Sequence, residues 1–305
     1  MPDCVHFKTQ DIPGERVVSL EKNIEKIIDS MPSLPITVAK IIEITKNPQS
    51  TPSDLNKVIT LDPVLTAKVL KLVNSAYYSL SNQVTSIVKA IILLGINTIK
   101  NLSISTAVLG TMRKKTGATA LNMDGFWRHC LAVGVTARDI AARMGVDPKL
   151  RDEYFIAGML HDIGKIVINE HFSDRYLQTI HSADSGRVSL WKKELELFET
   201  DHARAGRLVA EKWQLSPPLV EAIGLHHSPG EASAENRRLV AAIAAADAFC
   251  IENEVGFSGN RVPDVLPDLV WQTLGLKEED LFGIEDTINE ELERASVFLR
   301  ISEKA

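Results

Sequence analysis

Residues 36–46 read ITVAKIIEITK and place Val38, Ile41, Ile42 and Thr45 on one face. Spacings of three and four are the period of a helix with one buried stripe, whereas a half-buried strand alternates at period two. The segment predicts a helix over 36–46, and the same signal recurs on both sides of it. Upstream, 21–31 reads as a short helix closed by Pro32 and Pro35, and residues 1–19, with Pro13-Gly14 and no apolar period, read as an arm. Downstream, Thr51-Pro52-Ser53 reads as a helix start, because proline suits a first turn whose N–H has no partner. Asp62-Pro63 is a boundary, since the residue before proline avoids helical geometry. The stretch 64–73 resumes with Leu65, Val69, Leu70 and Val73. The stretch 86–94 carries Ile87, Ala90, Ile91 and Leu94 and ends at Gly95, a helix C-cap.

A longer helix is expected over 97–112, then a polar seam at 114–122. Beyond the seam the apolar period predicts helices over 126–144, 151–169, 190–199, 219–226 and 236–253, with a further start at Asp201. A Gly/Pro/Asn-rich stretch follows to about 267, and short helices over 267–274 and 283–299 close the chain. No alternating strand pattern occurs, so the fold class is all-α. The expected domains are 1–19 as arm, 20–250 as the main unit (20–113 and 123–250 as its subdomains) and 251–305 as a C-terminal helical extension. In that extension Ile284, Ile288, Leu292 and Phe298 make a stripe that packs on its own chain or serves as an interface. Asn74–Tyr78 reads as a helix end packed on the second subdomain.

The formal net charge of −6 gives no general basic surface, so nucleic acid is not an expected partner; Arg113-Lys114-Lys115 is a local exception that reads as a solvated helix end. Three cysteines, at 4, 130 and 250 without CxxC spacing, point to a reducing compartment. Residues 1–19 lack the apolar core of a secretory signal, and no apolar run approaches the roughly 18 residues that span a bilayer. No membrane association and a cytoplasmic location are expected.

Five of the eight histidines form an ordered series: His129, His161 beside Asp162, His202, then His226-His227, with Asp247 closing it. Neutral imidazole and carboxylate are ligands for Fe, Mn, Zn and Ni. Seven such groups are too many for one ion with open positions, but suit two ions sharing a bridging aspartate, an arrangement that splits phosphate esters. A histidine on an apolar helix is more commonly a satisfied core residue. The order of the series argues for ligands, as does Asp247 within AAIAAADAFC, where a carboxylate needs a cation or several donors. His6, His171 and His181 fall outside the series.

With AGMLHDIGKI (157–166) at its centre, the pattern H…HD…D resembles the HD phosphohydrolase superfamily. MPSLPITVAKIIEI (31–44), VITLDPVLTAKVLKLVNSAYY (58–78) and TSIVKAIILLGINTIKNLSIS (85–105) resemble the HDOD domain. That likeness implies a bacterial, all-helical protein of signalling or regulation, in a family where many members have lost the ligands that this chain keeps. His202 in ETDHARAGRLVAEKW and the pair in AIGLHHSP also resemble the HD-GYP phosphodiesterases. By that likeness His129, His161, Asp162 and Asp247 hold one metal, and Asp162 bridges to a second held by His202, His226 and His227. Asp162 and Lys165 are then the catalytic candidates, with Lys165 facing the scissile phosphate. Two ions are implied, Fe or Mn in the first place, with Zn and Ni also compatible. A nucleotide or other phosphate ester is the implied ligand and a signalling protein a possible partner. The likeness stops at SPGEASAENRR (228–238), which lacks the GYP loop, and at Gly125, where an acidic ligand to a third metal would stand; Asp124 is one position off. The alternative function is a non-catalytic signalling scaffold with a structural or vestigial metal site.

Overall fold

A computed structural model describes residues 20–47, 49–112 and 120–303. Among them there is no strand, and the all-α class is borne out. The first six helices are α1 (Leu20–Ser30), α2 (Ile36–Thr45), α3 (Pro52–Ile59), α4 (Pro63–Val73), α5 (Ile87–Leu94) and α6 (Ile96–Met112). The local signals explain their ends. Thr51 and Asp54 cap α3 reciprocally, the Asp62 carboxylate accepts from Leu65 N–H at 2.9 Å, and Gly95 ends α5 at φ +92°. Helix α6 is buried from Thr98 to Leu109 on nearly every side, so it carries no clean stripe; α2, α4 and α5 pack around it.

The next eight are α7 (Met123–Arg143), α8 (Arg151–Leu160), α9 (Ile163–His171), α10 (Ser173–Gly186), α11 (Leu190–Phe198), α12 (His202–Lys212), α13 (Pro217–Leu225) and α14 (Arg237–Glu252). Three more close the chain: α15 (Asp268–Leu274), α16 (Ile284–Ala295) and α17 (Val297–Glu303). Two helix pairs approach at backbone distance through glycine. A Cβ on Gly158 of α8 would lie 2.8 Å from Gly134 Cα of α7, and one on Gly164 of α9 would lie 2.0 Å from His202 O of α12. These crossings bring α7, α8, α9 and α12 close enough for short side chains to meet.

Several expectations change. The single helix expected over 151–169 is two, broken at His161-Asp162, because α9 turns away to lie against α12. Helix α10 was not foreseen; its inward stripe of Tyr176, Thr179, Ile180 and Ala183 is diluted by polar residues. The helix expected over 283–299 divides at Ser296. The arm, Arg113-Lys114-Lys115 and most of the 114–122 seam lie outside the described residues. Tyr77, just after α4, meets Phe155 of α8 and Phe298 of α17 with ring centroids 5.1 and 5.2 Å apart, so the 74–78 segment does pack on the second half. Helix α16 lays Ile284, Ile288 and Leu292 on its own chain, chiefly against α7. Among the described residues no single helix is long and apolar enough to cross a membrane.

Candidate metal centre

The seven expected ligands come together from five places in the chain. His129 lies within α7 and Asp247 within α14, which pack side by side. His161 and Asp162 occupy the break between α8 and α9. His202 opens α12, with Asp201 as its N-cap, and His226-His227 follow the last residue of α13.

Asp162 is at the middle. Its Oδ2 lies 3.4 Å from His161 Nε2 and 3.9 Å from His129 Nε2. Its Oδ1 lies 3.2 Å from His202 Nε2 and 3.9 Å from His226 Nε2. Asp247 Oδ1 completes the first side, 3.0 Å from His129 Nε2 and 3.4 Å from His161 Nε2. His227 Nε2 completes the second, 2.9 Å from His202 Nε2. One carboxylate therefore presents an oxygen to each of two donor sets. A further close grouping, His161, His226 and Asp247, runs between the sets, so donor positions alone do not count the ions.

Outer partners settle which nitrogen faces the centre. His161 Nδ1 donates to Gly158 O at 2.6 Å and His226 Nδ1 to Ile223 O at 2.8 Å. A carbonyl can only accept, so Nδ1 carries the proton and Nε2 points inward. Carboxylates do the same for the other pair: Glu194 Oε2 takes His202 Nδ1–H at 2.5 Å, and Asp264 Oδ2 takes His227 Nδ1–H at 2.6 Å. Such partners orient ligands and raise their basicity.

Neither outer carboxylate was among the sequence candidates. Glu194 left a trace, standing between Leu190 and Phe198 on the buried stripe of α11, where a charge needs a reason. Asp264 left none, because it sits in the non-periodic stretch after α14.

Lys165 is buried, with Nζ 2.7 Å from Asp162 Oδ2 and 3.1 Å from Ser258 Oγ, so it rests on the shared carboxylate. Asp124 is exposed, and Gly125 lies under Phe257, whose N–H donates to Gly125 O at 2.9 Å.

The centre is electrostatically set for cations. Burial alone would push the Asp162 and Asp247 carboxyls up. His161, Lys165 and His202 around Asp162, and the imidazoles of His129 and His161 beside Asp247, outweigh it and hold both well below the usual range. Burial opposes charge on His161 and His202 too. The facing carboxylates win, Asp162 and Asp247 pushing His161 up to about 10, Glu194 and Asp162 pushing His202 up to about 9. His226, buried against three other imidazoles, is held well below its ordinary value. Three inward atoms, His161 Nε2, Asp162 Oδ1 and His226 Nε2, are buried without a hydrogen-bond partner. Leaving such atoms dry is costly, and soft-to-borderline cations are what imidazole and carboxylate together accept. The residues fit a bound metal.

Metal binding at His161 and His202 would have to displace the protons that their raised pKa values favour at neutral pH. Affinity should rise with pH until about 9 to 10, and proton release per ion should be larger at pH 7 than at pH 10. Titration calorimetry in two buffers of different ionisation enthalpy measures this directly; uptake without proton release at pH 7 would mean that His161 and His202 are not protonated in the metal-free protein. By the same sign, the metal-free fold draws stability from these two imidazolium groups that is complete below about pH 6.5 and lost through pH 9 to 10.

Comparison with known proteins places the chain in a family. The HDOD domain family matches residues 31–229. An uncharacterized protein of Treponema pallidum is 25% identical over 247 residues, 81% of this chain and 46% of that one. A ribonuclease Y of Clostridium kluyveri is 31% identical over 100 residues, 33% of this chain and 14% of that one. The chain thus spans less than half the length of the curated relatives it matches. Among solved structures, an HDOD domain protein of unknown function from Geobacter sulfurreducens superimposes with a TM-score of 0.74 at 26% identity, covering 92% of this chain and 97% of that one. A "putative phosphohydrolase" from Shewanella amazonensis gives 0.67 at 26% identity, with the same coverages.

Proposed function

The chain belongs to the HDOD domain family, and from that premise we propose that it is a regulatory protein whose histidine–aspartate centre holds two divalent metal ions and hydrolyses a phosphate ester. The observation that carries this is the division of donors about Asp162, with three inward polar atoms left without partners. His129, His161, Asp247 and Asp162 Oδ2 would hold one ion, and His202, His226, His227 and Asp162 Oδ1 the other. The likeness to HD-GYP phosphodiesterases favours Fe or Mn, with Zn and Ni also compatible. Bound there, such ions supply Lewis-acid chemistry, acidifying water and neutralising charge on a phosphoryl group.

The protein's own groups prepare the site. Lys165 keeps Asp162 ionised and fixed through Oδ2 and leaves Oδ1 without a hydrogen-bond partner. Glu194 and Asp264 hold two imidazoles with Nε2 inward. The substrate class is a nucleotide or related ester, and the absence of a GYP loop argues against cyclic di-GMP as the preferred one. Cytoplasmic signalling through a protein partner belongs to the same reading.

One observation favours the non-catalytic alternative. No ligand side chain is more than 9% exposed, so little of the centre is offered to a substrate. The two readings part in a turnover screen of Mn- and Fe-loaded protein on nucleotides, cyclic dinucleotides and a generic phosphodiester. Hydrolysis that disappears in His161→Ala supports the enzyme. Two bound equivalents with no turnover on any substrate support the scaffold.

A further inference from the structure

The segment that closes the centre is residues 254–264, between α14 and α15. It runs across the donor sets in order. Gly256 lies on His129, so close that a Cβ there would be 2.4 Å from His129 N and 2.7 Å from its Cα; at φ +77° the backbone also disfavours any other residue. Ser258, 1% exposed, accepts from Lys165 Nζ at the middle. Asn260 Oδ1 accepts the Leu190 N–H of α11 at 3.2 Å. Asp264 ends the crossing at the other donor set. Its carboxylate accepts from His227 Nδ1, from Trp191 Nε1 at 3.0 Å and from Ser189 Oγ at 2.7 Å, while the Trp191 ring stacks on the His227 ring.

We propose that this segment is a cover latched by Asp264, a positioning residue for His227, so that occupancy of the second metal position and closure of the cover are one coupled equilibrium. The physical basis is linkage. The seated cover presents Asp264 to His227 and fixes Nε2 toward His202 and His226. An ion that prefers the fixed imidazole must favour the seated cover by the same factor. Gly256 and Ser258 touch the His129 side and Lys165 without bonding to a ligand ring, so the cover holds no imidazole of the first metal position directly. Opening the cover would uncover the centre to an ester and at the same time loosen the second ion. The inference rests on the metal-site reading above and adds the control of access to it.

The test uses the full chain, freed of metal by chelator and titrated with Mn²⁺. Calorimetry gives the two equivalents, and hydrogen exchange follows the cover through the Phe257 amide, which donates to Gly125 O. In the wild type, exchange at 254–264 should slow with the second equivalent and not with the first. Asp264→Ala should weaken the second equivalent about 10- to 100-fold, leave the first unchanged, and remove the metal-dependent slowing at saturation. Asp264→Asn keeps an acceptor oxygen for Nδ1–H and should retain the second equivalent more tightly than Asp264→Ala, with helical circular dichroism confirming that both are folded. Cover exchange that ignores the second equivalent, or equal loss in both variants, overturns the coupling while leaving the metal site standing. Wild-type protein that takes up no Mn²⁺ overturns the metal site and the coupling together.

Discussion

Replacement of Asp162 by alanine is expected to remove both metal equivalents, not one. In the proposed assignment each of the other ligands serves one metal position, but Asp162 lends Oδ1 to one and Oδ2 to the other. Losing an outer partner of a ligand already costs about 10- to 100-fold in metal affinity, so losing the shared ligand should cost each position more than about 100-fold. A second effect adds to it. Lys165 is buried and finds its counter-charge in Asp162. Breaking a buried pair from one side leaves an uncompensated ion and costs about 3–5 kcal/mol. The metal-free variant should therefore unfold at lower temperature than metal-free wild type. Added Mn²⁺, which stabilises the wild type by mass action, should leave its transition unmoved. Thermal unfolding with and without Mn²⁺ reads both effects at once. A variant that keeps two equivalents at wild-type affinity would show that Asp162 does not bridge.

Gly164→Ala should be the most damaging single-methyl change near the centre. The added carbon would lie 2.0 Å from His202 O and 2.5 Å from Gly206 N. Both are backbone atoms, which cannot rotate aside as a side-chain tip can. Overpacking costs about 1–3 kcal/mol and sometimes more, and this contact belongs at the upper end, about 3 kcal/mol. Helix α12 must move outward, and His202, its first residue, moves with it away from Asp162 Oδ1. Loss of the second metal equivalent should accompany the loss of stability. Gly110→Ala in α6 is the control, since nothing lies within 4 Å of its added carbon and alanine is the better helix former. Urea unfolding midpoints of the two variants should fall on opposite sides of the wild type, or the Gly110 variant should match it. A Gly164 variant with an unchanged midpoint would mean that α9 and α12 are not in backbone contact.

Much of this protein is legible along the chain, because the relevant physics is local. A helix that buries one side must repeat its apolar residues at three and four, so ITVAKIIEITK and its neighbours declare themselves, with Thr51, Asp62 and Gly95 at the ends. The ligands declare themselves for a related reason. Histidine and aspartate amid alanine and isoleucine, as at His129 and Asp247, are costly unless something binds them.

What only the tertiary structure decides depends on which segments meet. The break at His161-Asp162 follows from where α9 must lie against α12, and no proline marks it. That break is what turns Asp162 so that its two oxygens face different histidines, a result that helical spacing by itself does not produce. Glu194 shows in sequence only as a charge on an apolar stripe, and its purpose appears when His202 reaches it. Asp264 shows not at all. Its contact with His227 is made across 37 residues by a loop without periodicity, and loops hold their shape through just such distant contacts. The residue types that can bind metal are thus written in the sequence, while their orientation, their second partners and their closure from solvent come from packing between elements far apart in the chain.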